Sequence, residues 1–255
     1  MTDVKPKARL HLNEPLAAGT SITVSGDPAH YLRTVMRAVP GDTIGVFNGK
    51  DGEWRARITA ADRRSCSLAI ETLARPQRTE PGPWLLFAPI KKTALDFLVE
   101  KATELGAERL WPVITERTVA QRVNLRRLHA HTIEAAEQCE RLTVPHLAEP
   151  VALSKLAGVW PTDRALFVLD TAGTGQPLAE VLQSMRTNSG PPPSHALLIG
   201  PEGGLTSSEL DALLDLPFAT VVGLGPRILR AETAALAALT CWQTVVGDGM
   251  APPRS

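Results

Sequence analysis

The chain has 255 residues, of which 44% are hydrophobic and 21% are charged, and its basic and acidic side chains are equal in number at 27 each. This composition is ordinary for a globular protein and argues against a chain that is disordered throughout. The longest apolar runs are far shorter than a membrane helix of roughly 20 residues, and no apolar segment follows Met1–Lys5, so we expect neither a membrane span nor a secretory signal. The three cysteines are widely spaced and form no CxxC pair, which favours a reducing cytoplasm over a disulfide framework or a zinc site.

The neutral total hides an asymmetry between the two parts of the chain. Residues 1–80 carry 12 basic and 9 acidic side chains, whereas residues 81–255 carry 15 and 18. A basic first part is typical of a domain that meets an anion, although ordinary surface charge explains the difference equally well.

The first 75 residues have the pattern of a small β-barrel domain. Short apolar or β-branched segments are separated by turn residues, and one helix over Pro28–Val39 interrupts them. The predicted strands are Arg9–Leu12, Ser21–Val24, Thr43–Phe47, Glu53–Thr59 and Ser65–Glu71. Residues 76–83 contain three prolines without apolar periodicity and are predicted to be a linker.

Residues 84–250 alternate strands with helices, which predicts an α/β fold whose parallel sheet is covered on both faces. Gly106 is expected to end the first helix, and Asn124 is expected to cap a long helix that reaches about Leu142. Three consecutive prolines make Thr187–Ser194 a predicted loop. The remaining predicted strands are Trp84–Ala88, Arg109–Ile114, Ala165–Leu169, His195–Ile199 and Thr220–Val222, and the remaining helices are Lys91–Leu105, Pro177–Met185, Ser207–Leu216 and Ala231–Val246.

Two glycine-bearing turns near the C-terminus are the candidates for ligand binding. The first, Gly200–Gly204, follows a buried strand, and Thr206 with Glu209 has the spacing of a capping box at the next helix. Ligands of open α/β sheets bind at the carboxyl ends of strands, where glycines let the backbone approach them. A tight turn without a ligand remains an equal alternative for this motif alone.

The second turn lies in Val222–Ala234 and adds charge to the same pattern. Arg227, Arg230 and Glu232 fall within six residues beside two apolar side chains, and we expect both turns to face one crevice. The segment Phe167–Gly175 superficially resembles a Rossmann loop, but it lacks the third glycine and comes too late in the chain. The six histidines have no metal-ligand spacing, so no metal is predicted.

At these residues the chain resembles the 16S rRNA uracil-N3 methyltransferases, the RsmE family of the SPOUT class. Gly200–Gly204 and Leu224–Ala234 are similar to the family's cofactor-binding signature. Three further segments are similar to the family in the same order: His30–Arg37, Glu100–Gly106 and Ala135–Pro145. One departure is Glu140, where the family pattern has a small residue, often glycine.

The resemblance implies a PUA-like β-barrel followed by a SPOUT parallel-sheet domain with a C-terminal trefoil knot. It also implies a cytoplasmic homodimer that methylates N3 of a specific uracil in 16S rRNA of the small ribosomal subunit, with S-adenosyl-L-methionine (SAM) as cofactor. The pattern of strands and helices alone indicates no knot. Two alternatives stay open: an RNA-binding protein with a degenerate cofactor fold, and a SPOUT enzyme that methylates another RNA at a ribose hydroxyl.

The chemistry of this reaction suggests roles for two charged residues. We expect Arg230 to stabilise the negative charge on the uracil when its N3 proton leaves, and Glu232 either to accept that proton or to orient Arg230. RNA contacts are implied for Arg9, Arg33 and Arg37, of which the last two are four residues apart and would share a helix face, with a solvated stripe as the alternative. The implied cofactor-binding residues are Leu169, Ile199, Gly200, Pro201, Glu202, Gly203, Gly204, Leu224, Gly225, Pro226, Arg227, Ile228, Leu229 and Thr233.

Overall fold

The structure, a computed structural model, describes residues 6–120, 122–170, 175–185 and 194–252. The chain divides into two compact units: residues 1–80 with 136–144, and residues 81–135 with 145–255. The division after Glu80 falls inside the predicted linker. Met1–Lys5 and all but the last residue of the predicted loop Thr187–Ser194 lie outside the described residues.

The first unit contains a curled five-stranded sheet built from the predicted strands. These are β1 (Arg9–His11), β2 (Ser21–Ser25), β3 (Thr43–Phe47), β4 (Glu53–Ala61) and β5 (Ser65–Arg75). Their hydrogen-bonded order is β1-β3-β4-β5-β2, with β1 parallel to β3 and the other pairs antiparallel. Alternate side chains of the strands, together with the fully buried Leu32, form the unit's core.

The helical segment of the first unit differs from its prediction. A regular helix over Pro28–Val39 is wrong: helix α1 covers only Asp27–His30, and a π-helical turn follows over Tyr31–Val35. Arg37 comes after this turn in the left-handed region, with φ of 49°. Arg33 and Arg37 therefore do not share a regular helix face, and the i to i+4 argument for pairing them does not hold.

The second unit contains an eight-stranded sheet in which every pair of strands is parallel. Its main hydrogen-bonded order is β11-β13-β10-β12-β6-β7-β8, and β9 pairs separately with β7. The strands are β6 (Trp84–Phe87), β7 (Arg109–Ile114), β8 (His146–Leu147), β9 (Val151–Ala152), β10 (Arg164–Leu169), β11 (Gln176–Pro177), β12 (Ser194–Ile199) and β13 (Ala219–Gly223). The three two-residue strands were not predicted, because two residues carry no periodicity.

Helices cover both faces of this sheet, as predicted. They are α2 (Lys92–Glu104), α3 (Leu125–Gln138), α4 (Leu178–Met185), α5 (Ser207–Leu214) and α6 (Ala231–Val245), with a 3₁₀ helix over Leu153–Val159. Successive side chains of β12 alternate between two core clusters: Leu197 and Ile199 pack with α2, α4 and α6, whereas Ala196 and Leu198 pack on the side of α5 and the 3₁₀ helix. This alternation explains why the central strands are apolar along their whole length.

Helix ends in the second unit follow the predicted capping chemistry. Gly106 ends α2 with φ of 78°, and the Asn124 side chain accepts a hydrogen bond of 3.0 Å from the amide of Arg127 at the start of α3. The predicted extension of α3 to Leu142 is wrong, because the helix ends at Gln138 and Glu140 has φ of 61°. Glycine adopts this left-handed backbone without strain, whereas the side chain of Glu140 does not favour it.

Residues 136–144 pack with the first unit, although they interrupt the second in the sequence. The guanidinium of Arg9 donates to the carbonyl oxygens of Ala136 and Arg141, both at 2.5 Å. The carboxylate of Glu80 accepts hydrogen bonds from the amides of Leu142 and Thr143 at 3.1 Å. These polar contacts join positions more than 60 residues apart, so no local pattern in the sequence indicates them.

Candidate functional site

A cavity of about 450 Å³ opens at the carboxyl ends of β10 and β12. It lies at the edge of the sheet where parallel α/β folds bind ligands. Its walls come from two separate segments, residues 199–205 and residues 228–234, with Leu169 and Asp170 at the end of β10. A second cavity, of about 490 Å³, lies between α5 and the 3₁₀ helix and contains none of the predicted site residues.

The first wall is a tight turn that leads from β12 into α5. The amide of Gly204 donates to the carbonyl oxygen of Pro201 at 2.8 Å, and Gly204 has φ of 70°, which a side chain would strain. The turn then enters the predicted capping box: Thr206 accepts from the amide of Glu209, whose carboxylate accepts from the amide of Thr206. Both ends of the turn are thus held by hydrogen bonds.

The second wall is the entry to helix α6. Arg230 is the N-cap residue, with an extended backbone (φ −66°, ψ 155°), and its carbonyl oxygen accepts from the amide of Ala234 at 2.8 Å. Ile228, which precedes it, is 85% exposed although it is apolar. An apolar side chain this exposed at the rim of a cavity marks a surface that a ligand or another chain would cover.

The structure brings most of the predicted cofactor residues to this cavity. Those that line it are Leu169, Ile199, Gly200, Pro201, Glu202, Gly203, Gly204, Ile228 and Leu229, together with the proposed catalytic Arg230. The predicted cofactor residues that do not line it are Leu224, Gly225, Pro226, Arg227 and Thr233, and the proposed catalytic Glu232 does not line it either. In the second set, Leu224 packs against the hydrophobic core, and Arg227 and Thr233 are exposed.

Four lining residues were not predicted: Asp170, Leu205, Ala231 and Ala234. Asp170 could have been predicted, because it directly follows β10 and ligands of parallel sheets bind at the carboxyl ends of strands. The segment was instead judged only as a Rossmann loop, which it is not. The alanines gave no signal, since a small residue near a helix start is ordinary.

Arg230 and Glu232 are placed differently. Arg230 is exposed at the cavity, whereas Glu232 is half-buried in the first turn of α6 and is not part of the lining. Within the described part of the chain the two side chains form no ion pair, as is expected for residues two apart on a helix. The role of Glu232, as a proton acceptor or as a residue that orients Arg230, stays a prediction.

The three arginines implied in RNA binding differ in how far their side chains are exposed. Arg33 and Arg37 are exposed on the first unit, near the exposed apolar side chains of Val35 and Val39. Arg9 has a side chain that is only 9% exposed. Its guanidinium lies 3.7 Å from the centroid of the Phe47 ring and forms a 2.8 Å ion pair with Glu53. This geometry gives Arg9 a structural role inside the first unit.

Glu53 is the centre of a small buried charge cluster. It also forms an ion pair with Arg75. Burial raises the pKa of Glu53, but the hydrogen bonds from Arg75 and the charge of Arg9 outweigh it, so the pKa is lowered overall. The cluster keeps the carboxylate ionised and links strands β1, β4 and β5.

Among the described residues there is neither a metal site nor a helix that could span a membrane. No group of three or more His, Cys, Asp or Glu side chains there is arranged to hold a metal ion. None of the described helices combines the length and apolarity required to cross a membrane.

The sequence was compared with protein families and with curated proteins. Residues 80–243 match the family model described as "RNA methyltransferase domain", and residues 24–71 match "RNA methyltransferase PUA domain". Ribosomal RNA small subunit methyltransferase E of Rickettsia conorii is 30% identical over 232 residues, which cover 91% of this chain and 93% of that protein. This chain belongs to the ribosomal RNA small subunit methyltransferase E family. The Bacillus subtilis member is 29% identical, over 86% of this chain and 88% of its own length.

Solved structures agree with this family. A ribosomal RNA small subunit methyltransferase E from Neisseria gonorrhoeae, bound to S-adenosyl methionine, superposes with a TM-score of 0.81 at 27% identity, covering 94% of this chain and 98% of that one. A putative methyltransferase from Legionella pneumophila in complex with SAM gives a TM-score of 0.83 at 26% identity, with the same coverage. These matches, each over 94% of this chain, agree with the family and with the α/β fold that the sequence predicted.

Proposed function

We propose that this family member transfers the methyl group of SAM to N3 of a uracil in the RNA of the small ribosomal subunit. The observation that carries this is the cavity shared by the turns at Gly200–Gly204 and Ile228–Arg230, at the carboxyl ends of parallel strands. The family assigns ribosomal RNA as the class of substrate, and the solved relatives with bound SAM support the cofactor.

The residues of the cavity fit SAM. A volume of about 450 Å³ is in the range of small-molecule sites. Gly200, Gly203 and Gly204 leave main chain uncovered along one wall, whereas Leu169 and Ile228 supply apolar surface. Asp170 and Glu202 place carboxylates in the lining, which suits a ligand with a positive sulfonium.

When bound, SAM supplies an electrophilic methyl group, and the protein supplies position and electrostatics. Uracil N3 is a poor nucleophile until it loses its proton. The guanidinium of Arg230, at the N-cap of α6 and on the cavity, stabilises the negative charge that then spreads to the ring carbonyl oxygens. Glu232, in the first turn of the same helix, is our candidate for accepting the N3 proton.

For RNA binding we propose Arg33 and Arg37. Both are exposed on the unit whose residues 24–71 match the PUA family model, and Tyr31 beside them is 37% exposed. Cations bind phosphates, and an exposed aromatic ring offers a stacking surface to an unpaired base. Replacing both arginines by alanine is expected to weaken RNA binding and to flatten its dependence on salt concentration, measured by fluorescence anisotropy at several salt concentrations. An unchanged salt slope would remove this assignment.

Four finer features come with this function as proposals. The first sheet closes into a PUA-like barrel, and the C-terminal segment is threaded into a trefoil knot. A knotted path agrees with the order of the strands, because β13 lies next to β10 and not next to β12, the strand that precedes it in the chain. The protein is a homodimer that works in the cytoplasm, where ribosomal subunits are assembled. The exposed Ile228 supports a dimer, and light scattering after size exclusion would decide between one and two chains.

The function is tested in two steps with purified protein. Calorimetry with SAM asks whether the cavity binds the cofactor; no detectable heat would favour an RNA-binding protein without activity. Incubation with small subunits from a strain that lacks this enzyme, followed by nucleoside mass spectrometry, is expected to yield N3-methyluridine. A 2′-O-methyl nucleoside instead would mean that the enzyme acts on a ribose hydroxyl.

The role of Arg230 is tested by Arg230→Ala beside the control Arg126→Ala, an exposed arginine on α3. Loss of transition-state stabilisation by one charged donor lowers kcat by roughly 100-fold. The control is expected to keep wild-type kcat. Unchanged turnover of Arg230→Ala at saturating RNA and SAM would discard the catalytic role of Arg230.

A further inference from the structure

The segment that follows β7, residues 115–118, contacts the turn at Gly200–Gly204. Thr115 and Thr118 are both buried and hold this segment in a tight turn, since the amide of Thr115 donates to the Thr118 hydroxyl oxygen at 2.9 Å and the two hydroxyl groups are also 2.9 Å apart. Glu116 and Arg117 lie between them. Their positions are thus set by a pair of residues anchored in the second unit.

Arg117 binds the main chain of the turn that forms the cavity wall. Its guanidinium Nη1 donates to the carbonyl oxygen of Gly203 at 2.7 Å and lies 3.5 Å from that of Leu205. The stem of the arginine also lies against Gly203, where a Cβ would meet the Arg117 Cδ at 3.4 Å. The contact therefore combines a charge-assisted hydrogen bond with close packing.

The hydrogen bond from Arg117 fixes a peptide plane rather than a single atom. In a trans peptide the carbonyl group of Gly203 and the N–H group of Gly204 lie in one plane and point in opposite directions. The oxygen accepts from Arg117, and the amide donates to the carbonyl oxygen of Pro201 at 2.8 Å. The plane is held from both sides, between two glycines that would otherwise rotate freely.

Glu116 holds the other end of the same turn. Its amide donates to Oε1 of Glu209 at 2.7 Å, and Oε2 of that carboxylate accepts from the amide of Thr206 at 2.9 Å. Glu209 thus links the segment after β7 to the residue where the turn enters α5. Residues 115–118 are in contact with the turn at both ends.

We propose that Arg117 is a positioning residue for the cofactor: it holds the Gly200–Gly204 turn in the shape that binds SAM. This rests on the function proposed above. Arg117 is not part of the cavity lining, so it acts through the turn and not by touching the cofactor or the base. Removing it leaves two adjacent glycines with one hydrogen bond instead of two, and binding must then order the turn.

The test compares wild type, Arg117→Ala, Arg117→Lys and the control Arg126→Ala, using full-length protein. For Arg117→Ala we expect the Kd for SAM from calorimetry and the KM for SAM to rise roughly tenfold, with kcat at saturating SAM close to wild type. Lysine can donate one hydrogen bond to the Gly203 oxygen, so Arg117→Lys should recover part of the affinity. The control should match wild type.

Hydrogen exchange supplies a readout that does not depend on activity. In the absence of SAM, peptides that contain residues 200–206 should exchange faster in Arg117→Ala than in wild type, whereas peptides of β10 and β12 should not change. Wild-type affinity together with unchanged exchange in Arg117→Ala would overturn the proposal, and so would a lower kcat with an unchanged KM for SAM. If wild type itself binds no SAM, the proposed function fails, and the exchange of the turn still reports whether Arg117 braces it.

Discussion

Acidification is expected to destabilise the second unit through one buried histidine. His195 is 1% exposed on β12, and its Nδ1 accepts a hydrogen bond of 3.0 Å from Nε1 of Trp242. An indole nitrogen only donates, so the neutral ring carries its proton on Nε2. Burial, and then the charge of Arg164, lower the pKa of His195 to about 4. Protonation in the folded state would also place two donors against each other at Trp242.

The magnitude follows from the two states of this histidine. In the unfolded chain its pKa is about 6.5, so between pH 6.5 and 4 the unfolded state binds a proton that the folded state does not. The free energy of unfolding therefore falls as the pH is lowered. From pH 7 to pH 5 the loss from this one group is about 2 kcal/mol. Above pH 7 the histidine contributes no pH dependence, because both states are neutral.

The assay is urea unfolding at pH 7, 6 and 5, followed by tryptophan fluorescence. Four of the five tryptophans lie in the second unit, so the signal reports mainly on that unit. His195→Asn removes the titrating ring, and His129→Asn does the same at an exposed position on α3. Wild type and His129→Asn should lose about 2 kcal/mol more than His195→Asn over this range. Equal losses in all three proteins would refute the reasoning.

Three other substitutions test contacts inside one unit or the other, each by urea unfolding at pH 7. Glu53→Gln should lower the free energy of unfolding by about 3 kcal/mol, because it leaves the buried Arg9 without its counter-charge. A decrease below about 1 kcal/mol would mean that the Arg9–Glu53 ion pair contributes no more than an exposed pair does. Leu98→Ala should cost about 3 kcal/mol, since this fully buried side chain of α2 lies in the core under the sheet, whereas the same change at the exposed Leu214 should cost far less. Glu140→Gly should raise the free energy of unfolding by about 1 kcal/mol, because the backbone there has φ of 61°; a loss would mean that the contacts of the glutamate side chain outweigh the strain.

Much of the secondary structure was predictable because it depends on local spacing. The apolar strands β6, β10 and β12, the stripe on α2 and the capping box at Thr206 each depend on a stretch of 4 to 13 residues. The periods of a strand and a helix are set by the backbone and do not depend on distant residues. The glycine turns were visible for the same reason, and the strand-end rule indicated that they share one cavity.

Prediction from the sequence was less accurate where the local helical pattern conflicts with the packing of the folded chain. The segment after His30 has the pattern of a continuous helix, yet it forms a π-helical turn and places Arg37 in the left-handed region. The core position of Leu32, which is fully buried, is satisfied by this geometry. Propensity is a weak prior that packing overrides, so the spacing of Arg33 and Arg37 could not be converted into a shared face.

By itself, then, the sequence determined the α/β class and the family, and it indicated that the segments near Gly200 and Ile228 share one cavity. Only the tertiary structure decided that Arg9 is neutralised by Glu53 inside the first unit, that residues 136–144 pack there, and that Arg117 holds the turn at Gly203. The physical reason is the same in each case. A charged side chain pairs with whichever partner the fold brings within about 3 Å. Here the partners are 44 to 132 residues away in the sequence, so the local pattern does not indicate them.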